Sequence, residues 1–103
     1  MPIEIRRKDV KTLIAQDRAQ IVEVLSPSEY KKEHLPKAVN MPLETVTPEN
    51  TKQLRKDQAV IVYCANGNRS AFAADVLGVM GYEHVRSLKE GFSGWVADGG
   101  EVE

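Results

Sequence analysis

The chain is 103 residues long, 42% hydrophobic and 28% charged, and its 14 Lys and Arg nearly balance 15 Asp and Glu to leave a formal net charge of −1. A chain of this size closes around one core, so one domain over residues 1–103 is expected, and the balanced charge argues against nucleic acid as a partner. Met1 to Val10 holds charged residues and no long apolar run, which argues against a signal peptide or membrane span and predicts a cytoplasmic protein without membrane association.

Ile3 to Ile5 reads as a first strand, and Val10, Leu13 and Ile14 recur at helical spacing after Asp9, the expected helix cap. Ile21 to Leu25 is a second apolar run. Ser26, Pro27, Ser28 and Glu29 then form a helix-start signature: Ser26 caps, Pro27 suits the first helical position and Glu29 completes a capping box. Pro36 and Pro42 push their preceding residues out of the helical region, so Leu35 to Pro42 is extended, with a strand near Ala38 to Met41. Pro48 to Leu54 reads as a short helix, and Ala59 to Tyr63 as a strand buried on both faces. In the helix expected over Ser70 to Met80, Ala73, Val76, Leu77 and Met80 form one apolar stripe, and Gly81 stands where a left-handed terminator belongs. Val85 to Leu88 is the last strand, followed by a Gly-rich turn and a segment around Trp95. This alternation predicts an α/β fold with a mainly parallel sheet.

The chemistry is expected in the loop that follows Ala59 to Tyr63: Cys64, Ala65, Asn66, Gly67, Asn68, Arg69 and Ser70. Ligands of open parallel sheets bind at this end of the strands. Asn66, Gly67 and Asn68 tolerate positive φ, so the backbone can curl and aim successive N–H groups at one point, an anion cradle to which the following helix adds its dipole. Both effects favour thiolate at Cys64, the one cysteine, which excludes an internal disulfide or a cysteine-based metal cluster within the chain. Arg69, a cation in the first helical turn, calls for a nearby negative charge and has the fork to grip two oxygens of an oxyanion. Asn66-Gly67 is also a hairpin signal, but helix-periodic sequence follows it.

A lone cysteine at a strand end is by itself more often a small buried hydrophobe than a nucleophile, and it is the loop around Cys64 that shifts the balance. His34 is expected to be a structural turn histidine rather than a general base, and Trp95 a core residue rather than a wall of the site. Lys31, Lys32 and Glu33 read as a solvated helix face with no function.

Five segments in register carry a family resemblance. Ile21 to Leu25 resembles the second strand of the rhodanese-homology domain, Ser28-Glu29-Tyr30 the helix after it, and His34 to Pro42 that family's "GHIPGAINIP" stretch. Tyr63-Cys64 through Arg69-Ser70 resembles its active loop, and Gly91-Phe92-Ser93-Gly94-Trp95 its closing "GGFxxW" segment. The resemblance implies a three-layer fold, a mainly parallel sheet of about five strands with helices on both faces. It implies a thiosulfate sulfurtransferase with Cys64 as the persulfide-bearing nucleophile, and Arg69 with the loop from Ala65 to Ser70 as the binding site for persulfide and donor oxyanion. The implied partners are a thiosulfate-like donor, a thiophilic acceptor such as cyanide or a thiol, and a sulfur-relay protein; no metal or other cofactor is implied. Four residues separate Cys64 from Arg69, as in sulfurtransferases, whereas the related phosphatases and arsenate reductases have five.

The chain departs from the family at Glu23 and Leu25, where Asp and Arg are usual, and at Glu33, Lys37 and Glu90, where Gly is usual. The change to Leu25 is expected to remove a hydrogen-bonding partner from beneath the active loop, loosening it and lowering activity. Beside the enzyme stands a second reading, a non-enzymatic persulfide carrier or docking module working with a partner protein.

Overall fold

The computed structural model describes residues 3–103. Five strands, β1 (Ile3–Ile5), β2 (Ala19–Glu23), β3 (Val39–Asn40), β4 (Ala59–Tyr63) and β5 (Val85–Leu88), pair in parallel in the order β1-β5-β4-β2-β3. Four helices connect or follow them: α1 (Arg7–Ala15), α2 (Pro27–Lys32), α3 (Asn68–Val79) and α4 (Gly91–Ala97). The central strand β4 is buried on both sides, as its unbroken apolar run demands. Val60 and Val62 face a core that includes Ala73 and Leu77 of α3, while Ile61 and Tyr63 face another built from Val10 of α1, Leu88 and Trp95 of α4. The three layers and the parallel sheet agree with expectation. None of the helices among the described residues is long and apolar enough to cross a membrane.

Local chemistry explains most boundaries. Ser26 caps α2 by accepting from the Glu29 N–H at 3.3 Å, and its own hydroxyl donates to Glu29 Oε1 at 2.9 Å, a variant of the expected box. Helix α3 ends in a Schellman motif: Gly81, at φ +99°, donates to Gly78 O, and Tyr82 N–H donates to Leu77 O. Three expectations need correction. Asp9 is not the cap of α1; Arg6 holds that position without a side-chain bond, and Asp9 lies one turn in, where its charge still suits the helix dipole. Pro48 to Leu54 forms only a 3-10 turn at Asn50–Gln53, because the chain must turn Leu54 into the core, and the Thr51 hydroxyl bonds back to Thr47 O at 2.8 Å. Helix α3 starts at Asn68, two residues before Ser70, so the active loop is shorter than the sequence reading placed it.

Candidate active site

Cys64 lies just past the end of β4, 1% exposed, and its sulfur is the focus of the loop that follows. Gly67, at φ +103°, turns its N–H onto Sγ at 3.1 Å, a backbone conformation that a side chain would oppose. The Ser70 N–H, in the first turn of α3, points at the same sulfur at 3.4 Å, and the Ser70 hydroxyl stands 3.6 Å from it. Asn66 fixes the bend by accepting the Asn68 N–H on its Oδ1 at 3.1 Å. Burial pushes the Cys64 thiol up, but the Ser70 N–H and hydroxyl and the N–H groups of Asn66 and Gly67 outweigh it and hold the thiol below its ordinary value.

The seven residues expected in the site are brought together unequally. Cys64, Gly67 and Ser70 form the cradle. Ala65, Asn66, Asn68 and Arg69 instead line the mouth of a cavity of about 320 Å³ above the sulfur, closed on its other side by Leu25 and Glu29. Arg69 is exposed there, with no ion pair among the described residues.

Support for the loop comes from α4 rather than from β2. Phe92 N–H donates to Cys64 O at 2.7 Å and Ser93 N–H to Ala65 O at 3.0 Å. Gly91, at φ +58°, permits this approach: a Cβ there would stand 2.5 Å from Cys64 O and 2.8 Å from the Ala65 carbonyl. Leu25, where a polar partner of the loop was expected to be lost, lies in the cavity wall and in the α3-side core, while these main-chain bonds hold the loop from the other side.

One group that sequence reasoning missed sits behind the cradle, and the buried role of a second, Glu23, lies on the other face of the sheet. Ser87 of β5, fully buried, shares a 2.7 Å hydrogen bond with the Ser70 hydroxyl, which also donates to Gly67 O at 3.1 Å. Its one trace in the sequence is a small polar residue inside an otherwise strand-like run, too weak to single out. Glu23, also fully buried, accepts from the Tyr63 hydroxyl at 2.5 Å; that hydroxyl in turn accepts the Leu35 N–H at 3.0 Å. Burial pushes the Glu23 carboxyl up, and burial together with Glu23 pushes the Tyr63 phenol up as well. His34 is structural as expected. It stacks on Tyr30 at 3.8 Å, and its main chain pairs with Glu103 in both directions. Trp95 is core, 1% exposed, with its indole N–H on Glu101 O at 2.8 Å.

Comparison with known proteins agrees with this geometry. The family model described as the rhodanese-like domain matches residues 6–98. The chain is 35% identical over 75 residues to the thiosulfate sulfurtransferase GlpE of Tolumonas auensis, covering 73% of this chain and 70% of that one. It is 32% identical over 89 residues to the adenylyltransferase and sulfurtransferase uba4 of Ogataea parapolymorpha, covering 86% of this chain but 23% of that one. Among solved structures, the rhodanese-related protein of Thermoplasma volcanium superposes with a TM-score of 0.88 at 27% identity, covering 98% of this chain and 97% of that one. With the matched segment running from Arg6 to Asp98 and the active loop inside it, the chain belongs to the rhodanese-like domain family.

Proposed function

We propose that the protein is a sulfurtransferase that takes sulfane sulfur from thiosulfate or a related donor, holds it as a Cys64 persulfide and passes it to a thiophilic acceptor. The observation that carries this reading is the convergence of the Gly67 and Ser70 N–H groups and the Ser70 hydroxyl on one buried sulfur at the mouth of a cavity. A structural cysteine has no use for such donors. A nucleophile needs them twice, for the thiolate before attack and for the anionic persulfide after it.

In the first step the Cys64 thiolate attacks the outer sulfur of thiosulfate, the S–S bond of the donor breaks, and its electron pair leaves with sulfite. In the second step cyanide or a thiolate attacks the outer sulfur of the persulfide and returns Cys64 to thiolate. Arg69 in the cavity wall meets the oxygens of the donor, and Ala65, Asn66 and Asn68 shape the mouth through which it enters. The likeness to uba4, whose name joins two activities, favours a second reading in which the persulfide is loaded by a partner protein and relayed onward. Intact mass after incubation with thiosulfate separates the two. A gain of one sulfur atom, reversed by cyanide and absent from Cys64→Ala, is expected of the enzyme; no gain with a free, reactive Cys64 leaves the relay.

A further inference from the structure

One edge of the sheet carries charges that the chemistry at Cys64 does not use. Arg6 follows the last residue of β1, Lys89 the last of β5 and Cys64 the last of β4, and β5 pairs with both of the other strands. The registers set Ile5 opposite Leu88 and Val62 opposite Ser87, so Arg6, Lys89 and Cys64 stand at one level along this edge. Neighbouring strands lie about 4.8 Å apart, which puts Lys89 one step and Arg6 two steps, about 10 Å, from the line of Cys64. The active loop adjoins this side, since a Cβ on Gly67 would stand 3.8 Å from both Glu90 N and Leu88 O.

Arg6, Arg7, Lys8, Lys89, Glu90 and Asp98 line a hollow of about 300 Å³ here. Its two carboxylates are already engaged. Arg7 lies 2.7 Å from Glu90 and 3.5 Å from Asp98, and Lys11 reaches Asp98 at 3.4 Å. Arg6, Lys8 and Lys89 are exposed, and among the described residues no carboxylate is within ion-pair distance of any of them. Glu4 and Asp9, the carboxylates nearest them along the chain, do not line the hollow. Three uncompensated cations thus gather beside the active loop in a chain of net charge −1, while the β2 side of the mouth carries Glu29 and Glu33 with Lys32. The positive field is confined to one flank. A nucleic acid backbone is neutralised over about six to ten phosphates, more than this patch offers, and would run on across like charge. A short run of carboxylates on a protein matches it.

We propose that this edge is a docking surface for an acidic segment of a partner protein, seated on Arg6, Lys8 and Lys89 so that a thiol of the partner reaches the Cys64 persulfide across the Gly67 turn. This rests on the sulfur-transfer reading above and names the kind of acceptor. The partner's thiolate attacks the outer sulfur of the persulfide, the S–S bond breaks, and its electron pair returns to Cys64. Two anions enter, the thiolate and the Cys64 persulfide, and two leave, the partner's persulfide and the Cys64 thiolate.

The probe is a synthetic peptide of one cysteine, three glycines and four glutamates, the glycines spanning about 10 Å when extended. Protein loaded with thiosulfate is mixed with this peptide, with its glutamine counterpart or with 2-mercaptoethanol, and loss of the persulfide is followed by intact mass. At low ionic strength the acidic peptide is expected to react about tenfold faster than the glutamine one. That advantage should fall below about twofold at about 0.5 M salt, and likewise in Arg6→Gln/Lys8→Gln/Lys89→Gln, with 2-mercaptoethanol unaffected by the substitutions. Neutralising Arg18 and Lys56, which precede β2 and β4 at the opposite edge, should leave it in place. Equal rates for the two peptides, or an advantage that survives the triple substitution, would overturn the surface. Docking is read apart from chemistry by titrating the unaltered protein with the serine version of the acidic peptide and following the amide NMR signals of Arg6, Lys8 and Lys89. Unmoved signals sink the surface whatever the sulfur does. Moved signals in a protein that neither loads nor releases sulfur sink the sulfur-transfer reading and leave docking alone standing. An RNA oligonucleotide that moves these signals where the acidic peptide does not would assign the patch to nucleic acid and overturn the proposal.

Discussion

Replacing Ser70 with alanine removes the one hydroxyl beside the Cys64 sulfur and leaves the main-chain N–H groups that point at it in place. A hydrogen bond to a charged acceptor contributes about 1.5–3 kcal/mol. The Ser70 hydroxyl stands 3.6 Å from Sγ and accepts from the thiol, its single proton going to Gly67 O, so it must turn that proton to serve the thiolate and its share is smaller, about 1 kcal/mol. That corresponds to roughly fivefold less thiolate at any pH below the titration midpoint. The assay is the pH dependence of Cys64 alkylation: in Ser70→Ala the midpoint moves up, the rate near neutrality falls roughly fivefold and the high-pH plateau stays where it was. Linkage gives a second readout. A thiol held below its unfolded value stabilises the fold above that value and loses the contribution as pH falls through the folded one, so the stability gap between Ser70→Ala and the parent widens with rising pH. An alkylation midpoint equal to the parent's would refute the role given to the hydroxyl. Ser87→Ala, which removes the 2.7 Å partner of that hydroxyl, is expected to shift the midpoint in the same direction by less.

Arg69→Lys keeps the charge but loses the fork, and thiosulfate loading is expected to slow about tenfold with alkylation of Cys64 unaffected; equal donor kinetics would remove Arg69 from the site. Gly91→Ala sets a Cβ 2.5 Å from Cys64 O at a φ of +58°, a strain expected to cost about 2 kcal/mol or more and to lower Tm by about 10 °C in thermal unfolding. Glu23→Gln tests the buried carboxyl: because burial raises Glu23 above its unfolded value, ionisation works against the fold as pH rises through that range. The variant should accordingly gain on the parent in Tm between about pH 4 and about pH 7, and a constant difference would show that Glu23 does not titrate there.

What was legible in the sequence follows how local each determinant is. The cap at Ser26, the terminator at Gly81 and the run Ala59 to Tyr63 act within a few residues or through burial alone, and each stands where the pattern puts it. The loop Cys64 to Ser70 was legible for the same reason, since its fold depends on the positive φ of Gly67 and the Asx bond of Asn66. Less local features escaped. Ser87 reaches Ser70 only because β5 pairs beside β4 in a register that sets Ser87 opposite Val62, and no spacing in the sequence displays that pairing.

Leu25 and Gly91 carry the same lesson in opposite directions. Judged along the chain, Leu25 is a lost polar partner and the loop ought to be loose. In the fold the loop takes two main-chain bonds from α4, 2.7 Å and 3.0 Å long, admitted by the absence of a side chain at Gly91, and main-chain bonds of this kind do not depend on which residue occupies position 25. Position 25 is thereby released from holding the loop and left to shape the wall of the cavity over Cys64. There an apolar side chain shapes which donor is accommodated, so Leu25→Arg is expected to alter the order of donors and, by setting a cation in the cavity that Cys64 lines, to move its alkylation midpoint down; a midpoint moved up would refute the placing of position 25 in that wall.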